Sequence, residues 1–313
     1  SIKCSWKLVY TLNMGFLKLL RPVNLGFLAL SLLLVHYYLV GTLAKGALLS
    51  TTQYLVFLIS CLLMTAGGYI INDYYDIETD KINKPHRFLT RLKTDQIEKA
   101  YYIGIYLLLA SVILGFTLGY LVQNLGFGFS YVFAAMALLI YSQKLKRQML
   151  LGNIMVSILT AYPYFLLFFL LFVNQNSQVN LVVYRIFIFL MMMSFLLNMI
   201  RELIKDLEDI NGDFSANYKT LPIQVGRDRA HFLVQLLIGI ATVLLIGISL
   251  YFFSSYWLVL FFGIGVVTPL IYIAYQIREV KFSTNYYKLS QILKLIMLVG
   301  LLLLILLPQI LKL

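Results

Sequence analysis

The chain has 313 residues, of which 61% are hydrophobic and 12% charged, with a mean hydropathy of +0.87. Soluble domains are about 45–50% apolar and 25% charged, so this composition excludes a water-soluble monomer. The net charge of +12 does not mark a nucleic-acid binder, because the basic residues sit mostly in short connections and no basic helix carries interleaved stacking aromatics.

Apolar runs near 20 residues recur along the whole length. They predict nine spanning helices over roughly 22–43, 48–72, 97–122, 126–143, 150–173, 181–204, 230–253, 256–277 and 289–311. The runs are too long for the strands of a membrane barrel, and lipid admits only helices or closed barrels. The expected fold is therefore all-α, a polytopic membrane protein forming one domain over 1–313, with membrane lipids as its surroundings. The opening SIKCSWKLVY has no obvious cleavage site, and no separate signal peptide is expected. Cys4 and Cys61 offer neither a disulfide framework nor metal spacing.

The connections alternate in charge. Those near 43–48, 122–126, 173–181 and 253–256 hold Lys45 as their only basic residue. The opposite set carries Lys3, Lys7, Lys18 and Arg21; Lys81, Lys84, Arg87, Arg91, Lys93 and Lys99; Lys144, Lys146 and Arg147; Arg201, Lys205, Lys219, Arg227 and Arg229; and Arg278, Lys281 and Lys288. These are 21 of the 25 Lys and Arg. The positive-inside rule then places the N-terminus and the long loops in the cytoplasm, and an odd helix count leaves the C-terminus outside.

The second apolar run ends in INDYYDIETDKINK (71–84), which contains Asp73-x2-Asp76-x3-Asp80. The sixth ends in KDLEDINGD (205–213), which repeats the spacing as Asp206-x2-Asp209-x3-Asp213. At about 100° per residue, positions i, i+3 and i+7 fall within roughly 60° of arc. Each trio thus shares one face if its helix continues, although Gly212 weakens that continuation in the second. Solvated acids balancing nearby Lys and Arg would account for one such cluster. Two of identical spacing, drawn from only 13 acidic residues, point instead to Mg²⁺, which takes one or two carboxylates and fills its remaining positions with water and phosphate. Arg87, Lys144, Lys146, Arg201 and Lys205 lie nearby. Acids, metal and cations at the edge of an apolar bundle suit a ligand with a diphosphate head and a greasy tail.

At these residues the chain resembles the UbiA superfamily of intramembrane prenyltransferases. Asn72, Asp73, Asp76 and Asp80 match the family's first acidic motif, and Asp206, Asp209 and Asp213 its second. LLRPVN (19–24), YSQKLKRQMLLGN (141–153) and YKTLPIQVG (218–226) match further segments in family order. The resemblance implies nine helices around a central cavity capped by the acidic loops. It also implies a reaction in which Mg²⁺ and cations hold the diphosphate of a prenyl donor, the C–O bond ionises, and a lipophilic acceptor captures the allylic cation. It assigns Asp73, Asp76, Asp206 and Asp209 to metal and catalysis. Asp80 and Asp213 go to metal or to loop cations, and Asn72 orients the first cluster or touches diphosphate. Arg87, Lys146, Arg201 and Lys205 are diphosphate candidates. Lys144 competes with Lys146, or else anchors the interface, a reading that also applies to Arg21. Asn24 approaches the site with the first helix. Tyr141 and Asn153 line the cavity, or Asn153 bonds helix to helix. Among the histidines, His36 reads as packed, His86 as solvated and His231 as starting a helix with no evident partner. NKPHRFLTRLKTDQ departs from the family pattern, since Phe88 and Leu89 replace a proline-rich continuation.

The two acidic segments together most resemble the branch containing digeranylgeranylglyceryl phosphate synthase, which prenylates a hydroxyl of a prenylated glycerol phosphate to form an ether lipid. The alternatives are prenylation of aromatic acids in quinone synthesis and, from another class, a membrane transporter that binds divalent cations.

Overall fold

The computed structural model describes residues 15, 17–41, 48–174, 181–252, 260, 262–280 and 282–303. Lys3, Cys4, Lys7, Lys45 and Lys281 lie outside these, as do most of the short connections near 43–48, 173–181 and 253–256. The described residues are helical with no strand, apart from one isolated bridge between Gln148 and Lys219. Seven helices among them are long and apolar enough to cross a membrane: Pro22–Val40, Thr51–Tyr75, Thr94–Leu121, Gly126–Gln143, Leu151–Phe172, Val183–Glu208 and Arg227–Gly247. Nine were expected. At the last two expected positions lie a shorter apolar helix, Gly263–Gln276, and the helix Ser283–Leu303, and residues 253–259, 261 and 304–313 lie outside the described set.

The chain divides into two compact units, one comprising residues up to Leu30 and Leu49–Lys144, the other Ser31–Leu48 and everything from Leu145 onward. In the first unit, α1 (Thr51–Tyr75) packs most extensively on α2 (Thr94–Leu121), which packs on α3 (Gly126–Gln143). Small residues set the approach of α1 to α2. A Cβ at Gly67 would stand 2.8 Å from the Gly104 carbonyl oxygen, closer than such atoms come, so only glycine allows this crossing. Hydroxyls tie α1 to both neighbours: Ser111 Oγ of α2 donates to the Ser60 carbonyl at 2.7 Å, and Ser60 Oγ meets Tyr131 OH of α3 at 2.7 Å. Ser50 starts α1 with a capping box, Ser50 N–H donating to Gln53 Oε1 at 2.9 Å.

The second unit is built on α4 (Leu181–Glu208), against which pack Leu151–Asn174, Ser283–Leu303 and Arg227–Phe252. Its core joins Ile200, Leu203, Ile204 and Leu207 of α4 to Val234, Leu270, Ile273 and Leu293. His231, which the sequence left without a partner, is buried and joined through Nε2 to Tyr286 OH at 2.8 Å. Tyr286 OH donates to the Val280 carbonyl at 2.8 Å, so the imidazole is the donor and its Nε2 carries the proton. The pairing spans 55 residues of sequence, which is why local pattern did not reveal it. His36 is buried against Tyr37 and His86 is exposed, as expected.

Gly67→Ala is expected to cost about 1–3 kcal/mol through overpacking, read as a lower thermal unfolding midpoint in detergent. Gly239→Ala, whose added carbon meets nothing within 4 Å, should leave that midpoint unchanged or raise it slightly.

Candidate functional site

The acidic residues ride on helix ends. Past Tyr75 the backbone breaks only at Asp76 (φ −95°, ψ 0°) and resumes in the short helix Ile77–Asn83. The hydrogen-bond ladder is not lost, because Asp76 N–H reaches the Asn72 carbonyl at 3.1 Å and Asp80 N–H the Asp76 carbonyl at 2.8 Å. In the second unit the break falls on Asp209 (φ −95°, ψ 8°), between α4 and the short helix Ile210–Ser215. Asp209 N–H reaches Lys205 and Asp213 N–H reaches Asp209, at 2.8 and 3.1 Å. The middle aspartate of each trio therefore sits at the same bend. Gly212, expected to weaken the second helix, is buried within it.

In the first unit Asp73, Asp76 and Asp80 are all buried and offer carboxylate oxygens within 4.8 Å of one another. Uncompensated carboxylates this close and this dry are costly. Two arginines supply the counter-charge. Arg21 Nη2 donates to Asp73 Oδ1 at 2.5 Å, and Arg87 Nη1 to Asp73 Oδ1 at 3.1 Å and Asp80 Oδ2 at 2.5 Å. Burial works against the Arg87 charge, yet the neighbouring Asp73, Asp80 and Asp76 hold its pKa above the ordinary value. Asn72 Nδ2 donates to Asp76 Oδ2 at 2.9 Å. Hard, convergent oxygen donors of this kind suit Mg²⁺.

Local structure explains how both arginines arrive. Arg21 has φ +52°, a costly left-handed conformation for a non-glycine residue, directly before Pro22 at the first position of its helix. Its guanidinium lies 4.6 Å from the centre of the Tyr69 ring. Arg87 is held by the segment in which Phe88 and Leu89 depart from the family pattern. Leu89 is buried with Leu19, Ile70 and Ala100, and Phe88 packs on that cluster. Thr90 Oγ1 donates to the Arg87 carbonyl at 2.8 Å. An apolar anchor replaces the stiffness that prolines would supply.

In the second unit Asn153 Nδ2 donates to Asp206 Oδ2 at 2.9 Å. Asp213 is buried, and Asp206 and Asp209 are half-buried. The second trio does not bring three carboxylate oxygens together as the first does. Arg201 and Lys205 are held by a residue absent from the sequence reading. The buried Glu202 accepts Arg201 Nη1 at 2.7 Å on Oε1 and Lys205 Nζ at 2.9 Å on both oxygens. Arg201 Nε–H is buried and makes no hydrogen bond. The signal was available: Glu202 stands four residues before Asp206 and so on the same face.

Lys146 is half-buried, whereas Lys144 caps α3 and is exposed. The basic loop lies over the start of the helix Leu151–Asn174, where a Cβ on Gly152 would meet Lys146 Cα at 2.8 Å. Lys219 N–H donates to the Arg147 carbonyl at 2.8 Å, and the Arg147 guanidinium covers the Tyr218 ring at 5.2 Å. Two segments far apart in sequence, 141–153 and 218–226, thereby meet. Tyr141 is buried on α3, and Asn24 is half-buried, its backbone N–H on the Arg21 carbonyl at 2.9 Å.

Residues 19–307 match the UbiA prenyltransferase family. A digeranylgeranylglyceryl phosphate synthase from Methanosphaera stadtmanae is 31% identical over 292 residues, covering 91% of this chain and 96% of the relative. The enzyme of the same name from Thermococcus gammatolerans is 33% identical over 74% of this chain and 75% of its own length. A solved structure concerned with digeranylgeranylglyceryl phosphate synthase in membranes superposes with a TM-score of 0.64 at 24% identity, covering 96% of this chain and 99% of the other. A UbiA homologue from Archaeoglobus fulgidus bound to GPP and Mg²⁺ gives 0.56 at 18%, covering 93% and 99%. The long apolar helices and these relatives make this an integral membrane protein, and the chain belongs to the UbiA prenyltransferase family.

Proposed function

We propose that this protein is a Mg²⁺-dependent prenyltransferase that moves a geranylgeranyl group from its diphosphate to the hydroxyl of a prenylated glycerol phosphate, in ether-lipid synthesis. The observation that carries the reading is the buried convergence of Asp73, Asp76 and Asp80 under two arginines. The name shared by the two relatives described above supports the acceptor, and the homologue bound to GPP and Mg²⁺ supports the donor and the ion. We take residues 1–313 as one domain, with the N-terminus and acidic segments cytoplasmic and the C-terminus outside, on the charge alternation of the connections.

Asp73, Asp76 and Asp80 would hold the ion, with Asp206, Asp209 and Asp213 as the second carboxylate set. Bound there, Mg²⁺ neutralises charge on the diphosphate as it leaves. Asn72 and Asn153 keep their aspartates in fixed orientation. Arg21, Arg87, Arg201, Lys205 and Lys146 present positive charge to the leaving group, which builds negative charge as the C–O bond ionises. The greasy interior of the bundle shields the allylic cation from water. The transporter alternative needs a path of ionisable groups at mid-depth, whereas the two aspartate trios lie at helix ends.

Purified protein given geranylgeranyl diphosphate and a panel of glycerol phosphate, hydroxybenzoate and naphthoate acceptors should yield the glycerol ether, identified by product mass. A prenylated aromatic acid instead would overturn the acceptor assignment. Chelating the divalent ion should stop diphosphate release, and Mg²⁺ should restore it. Asp73→Ala and Asp206→Ala should each lower kcat/KM by at least about 100-fold, a loss of more than ~2.7 kcal/mol of transition-state stabilisation, with the unfolding midpoint retained. Normal turnover in either variant would defeat the metal assignment.

A further inference from the structure

We infer that Glu202 is a positioning residue: its carboxylate clamps Arg201 and Lys205 in the geometry that receives the donor's diphosphate, and it is not itself a metal ligand. The inference rests on the functional reading above and concerns how its second cationic group is built.

Glu202 sits one helical turn deeper than Asp206 and extends the acidic face to Glu202-x3-Asp206-x2-Asp209-x3-Asp213. By position alone it would read as a fourth acid of the cluster. Its contacts say otherwise, because both oxygens are taken by cations at 2.7–2.9 Å. The carboxylate is buried, so these are charge-assisted bonds in a dry setting, where they are short and strong.

The cations need this arrangement. Arg201 and Lys205 are like charges four residues apart on one helix, a spacing that is repulsive by itself. Glu202 lies between them in sequence and bonds both. Lys205 also lies close enough to Asp206 to act on it electrostatically. Arg201, with one Nη committed to Glu202 and its Nε–H buried without an acceptor, retains donors for an anion.

The first unit has the same device in other chemistry. The residue four before Asp73 is Tyr69, and its ring holds Arg21 at 4.6 Å. In each unit, then, the position one turn before the first aspartate fixes a cation: by an aromatic face at 69, by a carboxylate at 202.

The test is steady-state kinetics of wild type, Glu202→Gln, Lys205→Gln and the double variant, with donor and acceptor varied separately. Wild-type turnover of the prenyl diphosphate is the reference, and its absence would refute the function rather than this inference. Glu202→Gln keeps shape and removes charge. It should raise the KM for the donor about tenfold, as expected for the loss of a charge-assisted contact, with kcat within about threefold and the acceptor KM unchanged. Added to Lys205→Gln it should cost less than about threefold more, because it acts through that lysine. An unaltered donor KM, a fall in kcat alone, or full additivity would each overturn the inference. Should Glu202→Gln fail to fold, Glu202→Asp, which keeps the charge on a shorter arm, is judged by the same donor-KM criterion. Binding of inorganic diphosphate to the same variants gives a second readout and should weaken in parallel.

Discussion

Everything at the candidate site follows from placing three carboxylates on one buried face at the end of an apolar helix. That face exists because the chain keeps its helical ladder through the middle aspartate of each trio, bending there without losing the bonds on either side. Had the helix ended at Tyr75 or Glu208, the last aspartate of each trio would have been free to turn to water, and its burial would need another cause. Continuation instead commits Asp80 and Asp213 to the interior. Buried acids of like sign require opposite charge nearby, and in the first unit the chain supplies it from two directions: Arg21 before the first helix and Arg87 in the segment after the trio.

The two trios are answered differently. In the first unit the counter-charge comes from far along the chain. Arg21 is 52 residues from Asp73 and needs a left-handed turn, a following proline and the Tyr69 ring to reach it. Arg87 needs the buried Leu89 anchor. In the second unit Arg201 and Lys205 come from the same helix, and Glu202 stands between them and Asp206. In the first trio Asp73 and Asp80 are bonded directly to arginines; in the second Asp206 accepts from the neutral amide of Asn153, and Glu202 bonds Arg201 and Lys205.

Much of this was legible in the sequence. The spacing of Asp73, Asp76 and Asp80 is a helical spacing, and it was readable as a shared face because period and chemistry agree. The positions of the long helices followed from the length of apolar runs. Other features were not legible, for physical reasons. The bond between His231 and Tyr286 and that between Asn153 and Asp206 join residues more than 50 apart, and a single sequence carries no signal for such pairs. Gly212 was judged on intrinsic propensity, which tertiary packing overrides at a buried position. Phe88 and Leu89 depart from the proline-rich pattern, and only the folded chain shows that burial of this segment against Leu19, Ile70 and Ala100 holds it. Glu202 and Tyr69 stand one turn before each trio, where the side chain faces the same way, but the aspartate spacing itself does not extend to them.

The choice of arginine at positions 21, 87 and 201 fits a cation that must serve two anions. A lysine carries three donors on one nitrogen, and at Lys205 two of them lie on the oxygens of Glu202. A guanidinium presents five donors in a plane, and each of these arginines places a single terminal nitrogen on its carboxylates. The side chains of Arg21 and Arg87 are about a quarter exposed, so the remaining donors are not sealed in the protein. An aspartate on one edge and an arriving phosphate oxygen on the other can then be held together, without the arginine having to leave the acid it stabilises. For the proposed reaction this means that the positive face offered to the diphosphate is already in place, held by the acids and the aromatic ring beneath it.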